Sequence, residues 1–430
     1  MAGRKLNILI IYHLRNSFPL RLSVSANLFC WGRYSKHNVS YYNSSFGNTS
    51  ACISKLDPDI IILHTSFCGL RWQAEAMIAL GQTFESIASH RALKIALPQD
   101  EFYLTGRLEK LLTRLNTSIL LTCANPDLWN KLYPALSKSL QLKTILTGYV
   151  DPNFVRHAKK LTRPSEMRPI PISYRAWNAE FWLGDHGRQK VKVGEAFRDT
   201  LHDLNIASDI SLNSDDTITG DAWIRFLADS RATIGVEGGS SLIDRDGSLR
   251  LSVDRFLEQN PGSSFEATSQ ACFNDDSNSL ELKCLSPRHL EAVATRTLQF
   301  LIGGEYNGVL KPGRHYVRIS PNFDNLKEAL SILQDSTKID RMTETAYREI
   351  IETGTVSYPA FVAEIEYEFL SPVIARPKRH MDGMKRLAYL LLDWFYWRVI
   401  QAESYYVKHP KRFKILSPFK PIFRWMTNQV

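Results

Sequence analysis

Residues 285–319 read LSPRHLEAVATRTLQFLIGGEYNGVLKPGRHYVRI and contain the clearest structural signals of this 430-residue chain. The Ser-Pro pair predicts a helix start, because proline at the first helical position loses no helical hydrogen bond. Arg288 and Glu291 share one face of the first turns, where free N–H groups and the helix dipole favour an anion. The apolar run LQFLI predicts a buried strand that ends at Gly303-Gly304. The stretch therefore predicts a helix–strand unit of an α/β fold with a ligand site at its edge.

Five short apolar runs in the first 150 residues extend this pattern towards the N terminus. They read NILIIYHL, DPDIIILHTSF, ALKIALPQD, SILLTCAN and LKTILTGYV, and each ends in a polar or glycine-containing turn. Helical stretches separate them, so the alternation predicts a parallel, doubly wound sheet. Working residues in such sheets follow the carboxyl ends of strands, where this chain has His13, His64, Asp100 and Glu101. Either histidine alone is as well explained as a loop cap.

The adjacent carboxylates Asp100 and Glu101 allow two interpretations. They could form a solvated turn, as such pairs often do. They follow the apolar ALP of a predicted strand, however, so one of them could bind acceptor hydroxyls or act as a general base. Asp100 is the first choice for that role.

A second set of polar residues follows the strand-like run PIPISYR, which ends in Arg175. Gly184 and Gly187 come next, and Lys190 lies in the first turns of the predicted helix. An arginine, a glycine-containing loop and a lysine near a helix start can together hold a diphosphate. The spacing matches neither a Walker A loop nor a GxGxxG fingerprint, so a solvated basic face is the alternative.

The strand-like run RATIGV leads into the turn EGGSS, which begins at Glu237. Its glycines allow backbone N–H groups to approach a sugar or a phosphate. The triplet DRD at 244–246 matches a metal-binding DxD pattern, but DPD at 57–59 matches it equally well. Since Asp246-Gly247 is more simply a turn, we predict no metal site. The polar, acidic residues 258–282 predict a surface insertion.

Composition bounds the possible classes of protein. With 44% hydrophobic residues the chain can bury two cores, so two domains are expected. The six cysteines are scattered, without a CxxC pair, which predicts reduced thiols in a cytosolic protein. The N-terminal run ILII is short and is followed by YHLR, so it predicts a strand and not a signal peptide.

The formal charge of +9 is concentrated in residues 376–430, which contain twelve Lys/Arg and three Asp/Glu. Residues 387–400 are apolar but include Asp393 and Arg398, so they are too short and too polar to span a bilayer of about 30 Å. The aromatic run WFYW at 394–397, flanked by cations, instead predicts contact with an anionic membrane. A helix packed on the core is the alternative. No nucleic-acid motif accompanies the charge, so no nucleic-acid partner is predicted.

These runs together resemble the bacterial GT-B glycosyltransferases found with capsule and lipopolysaccharide genes. The resemblance is closest at SPRHLEA, GGEYNGVLKPGRHY and ALPQDEF, extends to IYHLRNS, WGRYSKHNVSYYN and ILHTSF, and covers most of residues 5–365. The wording GGSSLIDRDG departs from it, and the tail lies outside it. The family implies two Rossmann-like domains facing a central cleft: an acceptor domain at 1–155 and a nucleotide-sugar donor domain at 169–350. A C-terminal crossover helix would follow at 351–375, and the basic amphipathic tail at 376–430.

The resemblance also implies an activity. The enzyme would transfer a sugar from a nucleotide-sugar co-substrate, without a further cofactor, to a glycan or lipid-linked acceptor in bacterial surface polysaccharide synthesis. It would be cytoplasmic and peripheral on the inner face of the cell membrane. The implied binding residues for the nucleotide and donor sugar are Arg175, Lys190, Arg288, Glu291 and Glu305, and the implied catalytic residues are Asp100, His64 and Glu237. The alternative is a non-catalytic glycan-binding or scaffolding subunit of a polysaccharide assembly complex.

Overall fold

Two separate parallel sheets organise the chain. The computed structural model describes residues 5–14, 21–46, 49–273, 279–373 and Leu391. The first sheet contains β1 (Asn7–Tyr12), β2 (Asn38–Asn43), β3 (Ile60–Leu63), β4 (Leu93–Ala96), β5 (Ile119–Thr122) and β6 (Gln141–Thr144). All its strands are parallel and follow the order β2-β1-β3-β4-β5-β6. The helices that precede the second sheet along the chain are α1 (Leu22–Tyr34), α2 (Thr49–Leu56), α3 (Thr65–Cys68), α4 (Ala74–Ala79), α5 (Gly81–Ser89), α6 (Thr105–Arg114), α7 (Trp129–Leu132) and α8 (Pro152–Leu161).

The part of the chain that forms the second sheet begins with β7 (Ile170–Arg175), α9 (Gly184–Asp203), β8 (Ser208–Ser211), α10 (Asp221–Asp229) and β9 (Ser230–Gly235). Next come β10 (Gly238–Leu242), α11 (Ser248–Gln259), α12 (Phe265–Cys272), β11 (Ser279–Cys284) and α13 (Pro287–Ala294). The last elements are β12 (Leu298–Ile302), β13 (Val317–Ile319), α14 (Leu326–Leu330), α15 (Ser336–Ala346) and α16 (Tyr358–Ile365). The parallel strand order is β13-β12-β9-β7-β8, and β10 and β11 form a separate antiparallel pair. The predicted α/β fold with parallel sheets is therefore confirmed.

Both faces of the first sheet are covered. Alternate residues of each strand point to opposite faces, so Leu9 and Ile11 belong to one buried cluster while Ile8 and Ile10 belong to another. The second of these clusters includes α16, whose Phe361 packs edge-on against Trp31 of α1 with ring centroids 5.8 Å apart. The described chain thus returns to the first sheet after completing the second.

The segment between β9 and α13 does not lie on the surface as an independent insertion. Its apolar side chains Ile243, Val253, Leu280 and Leu282 are buried in the same cluster as Leu9 of the first sheet. The predicted surface insertion, 258–282, is only part of this segment: most of its described residues are exposed, but Leu280 and Leu282 of β11 belong to that buried cluster. The polar residues that suggested it alternate with a few buried apolar ones, as in β11, where exposed and buried positions alternate strictly.

The predicted membrane-associating tail, 376–430, lies outside the described residues apart from Leu391. Among the residues that the structure does describe, no helix has the length and apolar character needed to cross a membrane.

Candidate functional site

The carboxyl ends of the two sheets meet at a junction built from short polar contacts. Gln99, after β4, donates its Nε2–H to the carbonyl of Thr147 at 2.5 Å. Thr147 in turn donates its hydroxyl to the carbonyl of Leu285, just before α13, at 2.5 Å. A Cβ on Gly148 would lie 2.9 Å from Pro287, the first residue of α13. The start of α13 is therefore held directly against the polar edge of the first sheet.

The neighbouring carboxylates at this edge have different environments. Glu101 is buried, and it accepts hydrogen bonds from the Thr122 hydroxyl at 2.5 Å, from the Cys123 N–H at 2.7 Å and from the Tyr133 hydroxyl. Burial raises the pKa of Glu101, and these hydrogen bonds oppose that shift. Glu101 is thus a satisfied structural group, which leaves Asp100 as the available carboxylate of this adjacent pair.

Asp100 reaches solvent, but the surrounding protein desolvates it. Desolvation raises the pKa of Asp100, while the positive charges of Arg71, Lys190 and Arg21 lower it. Lys190 belongs to α9 of the second sheet, so the two halves of the chain interact electrostatically at this point. Asp100 also has a positive φ of 51°. This conformation is uncommon outside glycine, so neighbouring contacts must maintain it.

Arg71 supplies part of that restraint. Its side chain is 0% exposed, and it donates to the carbonyls of Cys68 at 3.0 Å, Gln99 at 2.7 Å, Asp100 at 2.9 Å and Tyr103 at 3.1 Å. Desolvation lowers the pKa of Arg71. The buried guanidinium fixes the loop that carries Asp100. The local pattern contains no signal for this role beyond an arginine placed among apolar residues after a strand.

His64 has a different environment from the one that acceptor contact requires. It is 2% exposed, and its Nδ1 accepts the Ser66 N–H at 3.1 Å as the N-cap of α3. Its Nε2 lies 2.9 Å from Asn27 Oδ1. Burial lowers the pKa of His64 to about 3, so the ring is neutral. With both ring nitrogens engaged, His64 acts here as a loop cap.

Glu237 also makes a structural contact. It is 5% exposed, and its Oε1 accepts the N–H of Tyr306 at 2.7 Å. Gly304 packs so closely against Oε2 that a Cβ there would collide with it. Burial raises the pKa of Glu237. Glu237 thus shapes the loop after β12, whereas Glu305 on the same loop is exposed to solvent.

Arg175 is committed to partners within the second sheet. Its Nη2 forms an ion pair with Asp209 Oδ1 at 2.7 Å, and its guanidinium stacks 4.4 Å above the centroid of the Phe226 ring. Its carbonyl accepts from Arg288 Nη1 at 3.0 Å. Arg175 therefore orients Arg288, and Arg288 is the cation that reaches the junction from α13.

Lys190, Arg288 and Glu291 gather at the junction. The ammonium of the half-buried Lys190 makes no hydrogen bond or ion pair with any other described residue. Desolvation and the charge of Arg288 lower the pKa of Lys190, and the charge of Asp100 raises it. Glu291 Oε2 accepts the indole N–H of Trp223 at 2.8 Å. Desolvation raises the pKa of Glu291, opposed by the Trp223 hydrogen bond and by Arg288 and Arg21.

At the N-terminus of α9, one backbone N–H group and the glycine surface are already occupied by Ser241. The N–H of His186 donates to the hydroxyl of Ser241 at 3.2 Å, and a Cβ on Gly184 would collide with that hydroxyl. Of the predicted diphosphate cradle of Arg175, the glycine loop and Lys190, the Lys190 side chain is the group without a partner among the described residues, and the charge of Arg288 acts on it. A cavity opens beside Arg288 and Trp223, and its wall includes Thr233, His289 and Gln299.

The triplet at 244–246 uses its carboxylates as local caps. Asp244 accepts the N–H of Gly247 at 2.8 Å and that of Arg250 at 3.0 Å, and Asp246 accepts the N–H of Ser248 at 3.0 Å. Within the described ranges there is no group of three or more side chains that could hold a metal ion.

No family model and no curated protein matches the sequence. Solved structures do match the fold. An α-glucosyltransferase in complex with UDP-glucose and DNA containing an abasic site aligns with a TM-score of 0.51 and 12% identity, over 86% of this chain and 100% of the other. The α-glucosyltransferase with UDP and a mismatched 13-mer DNA aligns with a TM-score of 0.50 and 11% identity, over the same shares. HepE of Anabaena in complex with UDP has a TM-score of 0.46 and 10% identity, over 85% of this chain and 100% of its own. The chain thus shares the α/β fold with parallel sheets of GT-B-like structures.

Proposed function

We propose that the protein is a glycosyltransferase that takes a sugar from a nucleotide-sugar donor. The observation that carries this proposal is the group of Lys190, Arg288 and Glu291 on the second sheet, opposite Asp100 on the first. An ammonium that has no hydrogen-bond or ion-pair partner among the described residues, and that lies beside a guanidinium, suits a diphosphate. The α-glucosyltransferase that shares the fold was solved with UDP-glucose, which supports a uridine diphosphate sugar as the first donor to test.

Each residue of the group has a distinct chemical role in this proposal. Lys190 and Arg288 neutralise the diphosphate and the negative charge that grows on it as the sugar leaves. Glu291, whose Oε2 holds Trp223, accepts hydrogen bonds from ribose hydroxyls through Oε1. Asp100 faces the acceptor and removes the proton of the attacking hydroxyl when transfer occurs by direct displacement. The solvent-exposed Glu305 contacts the donor sugar.

The finer parts of the proposal concern the acceptor and the location. The resemblance of the motifs to capsule and lipopolysaccharide enzymes supports a glycan or lipid-linked acceptor in bacterial surface polysaccharide synthesis. The concentration of positive charge in residues 376–430, next to an aromatic apolar run, supports a peripheral position on the cytoplasmic face of an anionic membrane. The proposed mechanism uses no metal, and the nucleotide-sugar is a co-substrate.

Nucleotide-dependent thermal stabilisation tests the proposal. UDP, UMP, GDP, ADP and CMP are added separately to the full chain, and the unfolding temperature is recorded. A ligand that binds only the folded state at 100 times its Kd adds about 2.7 kcal/mol of stability. We expect stabilisation by a nucleoside diphosphate in the native protein and its loss in Lys190→Ala, with the solvent-exposed Glu195→Ala of the same helix as the matched control. A native protein that no nucleotide stabilises would contradict the proposal.

A second measurement separates the enzyme from a non-catalytic glycan-binding subunit. Stabilising nucleotides identify the base, and the matching nucleotide-sugars are then incubated with the protein and analysed for released nucleoside diphosphate. Slow hydrolysis, in which water replaces the acceptor, is expected from the native chain and not from Asp100→Asn. Nucleotide binding without any turnover in the presence of candidate acceptors would favour the non-catalytic subunit.

A further inference from the structure

The segment between β9 and α13 connects elements of the second sheet, yet it is built into the first. Ile243 and Leu282 are buried in the cluster that contains Leu9 of β1. The Trp182 ring, just before α9, lies with its centroid 4.9 Å from that of Tyr103, which follows Asp100 by three residues. The two halves therefore share a hydrophobic core directly behind the Asp100 loop.

Backbone hydrogen bonds join this segment to the Asp100 loop. The N–H of Asp244 donates to the carbonyl of Phe102 at 2.8 Å, and the N–H of Leu104 donates to the carbonyl of Asp244 at 2.6 Å. The N–H of Gly106 donates to the carbonyl of Arg245 at 2.9 Å. A Cβ on Gly106 would lie only 3.0 Å from that carbonyl oxygen, so the glycine permits the close approach. We call the contact of residues 244–245 with 102–109 the clasp.

The side chain of Arg245 completes the clasp. It forms an ion pair with Glu109 of α6, and its Nη1 donates to the carbonyls of Leu132 at 3.0 Å and Lys131 at 3.2 Å. Glu109 is 6% exposed and also accepts the N–H of Ala135 at 2.9 Å. A charge-assisted bond to a buried carboxylate is stronger than one at the surface, because water competes less for it.

We propose that Arg245 is a positioning residue for Asp100, through the clasp. From within the first half, Arg71 binds the carbonyls of Gln99, Asp100 and Tyr103, and Gln99 binds that of Thr147. The clasp restrains the C-terminal side of the Asp100 loop from the second half. The half that is proposed to hold the donor thereby sets the place of the group that faces the acceptor. The catalytic meaning of Asp100 rests on the proposed function, whereas the mechanical part does not.

The test compares three variants of the full chain. Arg245→Ala removes the ion pair and both carbonyl contacts, and Arg245→Lys keeps the charge. Arg114→Ala is the control, because Arg114 lies on α6 like Glu109 but pairs at 2.7 Å with Glu85 inside the first half. Hydrogen exchange is measured at the N–H groups of Leu104 and Gly106. We expect at least about tenfold faster exchange in Arg245→Ala, an intermediate value in Arg245→Lys and no change in the control.

Two functional readouts follow from a displaced Asp100. With the donor hydrolysis assay, kcat falls about 10- to 100-fold in Arg245→Ala, since small misplacements of a reacting group have effects of this size. The donor KM and the UDP affinity stay unchanged, because Lys190, Arg288 and Glu291 are untouched. Arg245→Lys recovers part of kcat. A loss of donor affinity equal to the loss of kcat would instead indicate general unfolding of the site and overturn the positioning role.

A substrate-free readout keeps the inference testable if the proposed enzyme activity is absent. The carboxyl carbon-13 shift of Asp100, assigned by comparison with Asp100→Asn, is titrated in the native chain and in Arg245→Ala. Arg71, Lys190 and Arg21 face this carboxyl in both, so the change expected is greater hydration and a lower midpoint. Faster exchange at Leu104 with an unchanged midpoint and unchanged kcat would overturn the inference, and so would unchanged exchange. Failure of UDP to bind the native chain would overturn the proposed function alone.

Discussion

The substitution Glu291→Ala tests the donor site most directly. Glu291 Oε2 accepts the indole N–H of Trp223 at 2.8 Å, and Oε1 has no hydrogen-bond partner among the described residues. The free oxygen is the one that the proposal assigns to ribose. Removing the carboxylate therefore deprives the ligand of a charged hydrogen-bond acceptor. It also removes the partner of Trp223, whose side chain lines the neighbouring cavity.

The expected magnitude follows from the type of bond. Hydrogen bonds to charged groups contribute about 1.5–3 kcal/mol, which corresponds to about 10- to 150-fold in Kd. Glu291→Gln separates the two effects, because its amide oxygen can still accept the Trp223 N–H while the charge is lost. We expect an intermediate weakening of about 0.5–1.5 kcal/mol from the glutamine variant.

Isothermal titration calorimetry with UDP measures both variants against the native chain. Glu195→Ala, on the exposed face of α9, serves as a control for the removal of a carboxylate from the same half. Unfolding curves without ligand show whether the loss of the Trp223 hydrogen bond also lowers the free energy of unfolding. UDP affinity unchanged in Glu291→Ala, with a normal unfolding curve, would refute the assignment of Glu291 to the ribose.

Three further predictions concern the acceptor side, acid stability and the tail. Asp100→Asn is expected to lower turnover by about 10²–10⁴-fold at unchanged UDP affinity. Because burial raises the pKa of Asp100, turnover of the native enzyme should fall with decreasing pH at a midpoint above the pKa of an ordinary aspartate. Burial lowers the pKa of His64 from 6.5 to about 3, so the folded state binds fewer protons than the unfolded state and stability is lost as pH falls below 6.5. The loss is about 2–4 kcal/mol by pH 4, and urea unfolding should show a flatter pH dependence in His64→Asn but not in the control His202→Asn, at a histidine that is 91% exposed. Truncation at Arg376 is expected to preserve UDP affinity and to abolish co-sedimentation with anionic vesicles. High salt should weaken co-sedimentation of the full chain, because each cation contributes about 1 kcal/mol of binding free energy that salt screens. Equal sedimentation of the full and truncated chains would contradict this prediction.

The strongly patterned elements were predictable from the sequence. The run LQFLI is β12, and α13 begins at Pro287 with Ser286 as its N-cap. The strand NVSYYN at Asn38–Asn43 was missed, because Asn, Ser and two tyrosines do not form an apolar run even though the strand is mostly buried. Local pattern identifies a strand when its side chains are apolar, and it fails when polar side chains are buried by distant partners.

The candidate site shows the same division. Lys190, Arg288 and Glu291 follow from helix starts and strand ends, which are local features, and the structure brings them together with Asp100. His64 and Glu237 have partners 37 and 69 residues away, at Asn27 and Tyr306, and those partners give them structural contacts. A residue type at a strand end therefore predicts availability for chemistry only when no distant group already occupies it.

The triplet at 244–246 shows which features of a distant segment would have to be read together with a local motif to predict its role. As a pattern it is compatible with a metal site, a turn or a clasp, and the ion pair that decides between them joins residues 136 positions apart. The clasp requires particular residues in the segment 102–109. Gly106 must leave room for the Arg245 carbonyl, and Glu109 must lie one helical turn later to pair with the guanidinium. A glycine and a glutamate three residues apart, just after the Asp100 loop, are thus the second half of the signal. If the clasp is the reason for that spacing, Gly106→Ala should speed exchange at Leu104 as Arg245→Ala does, although it leaves every charge in place.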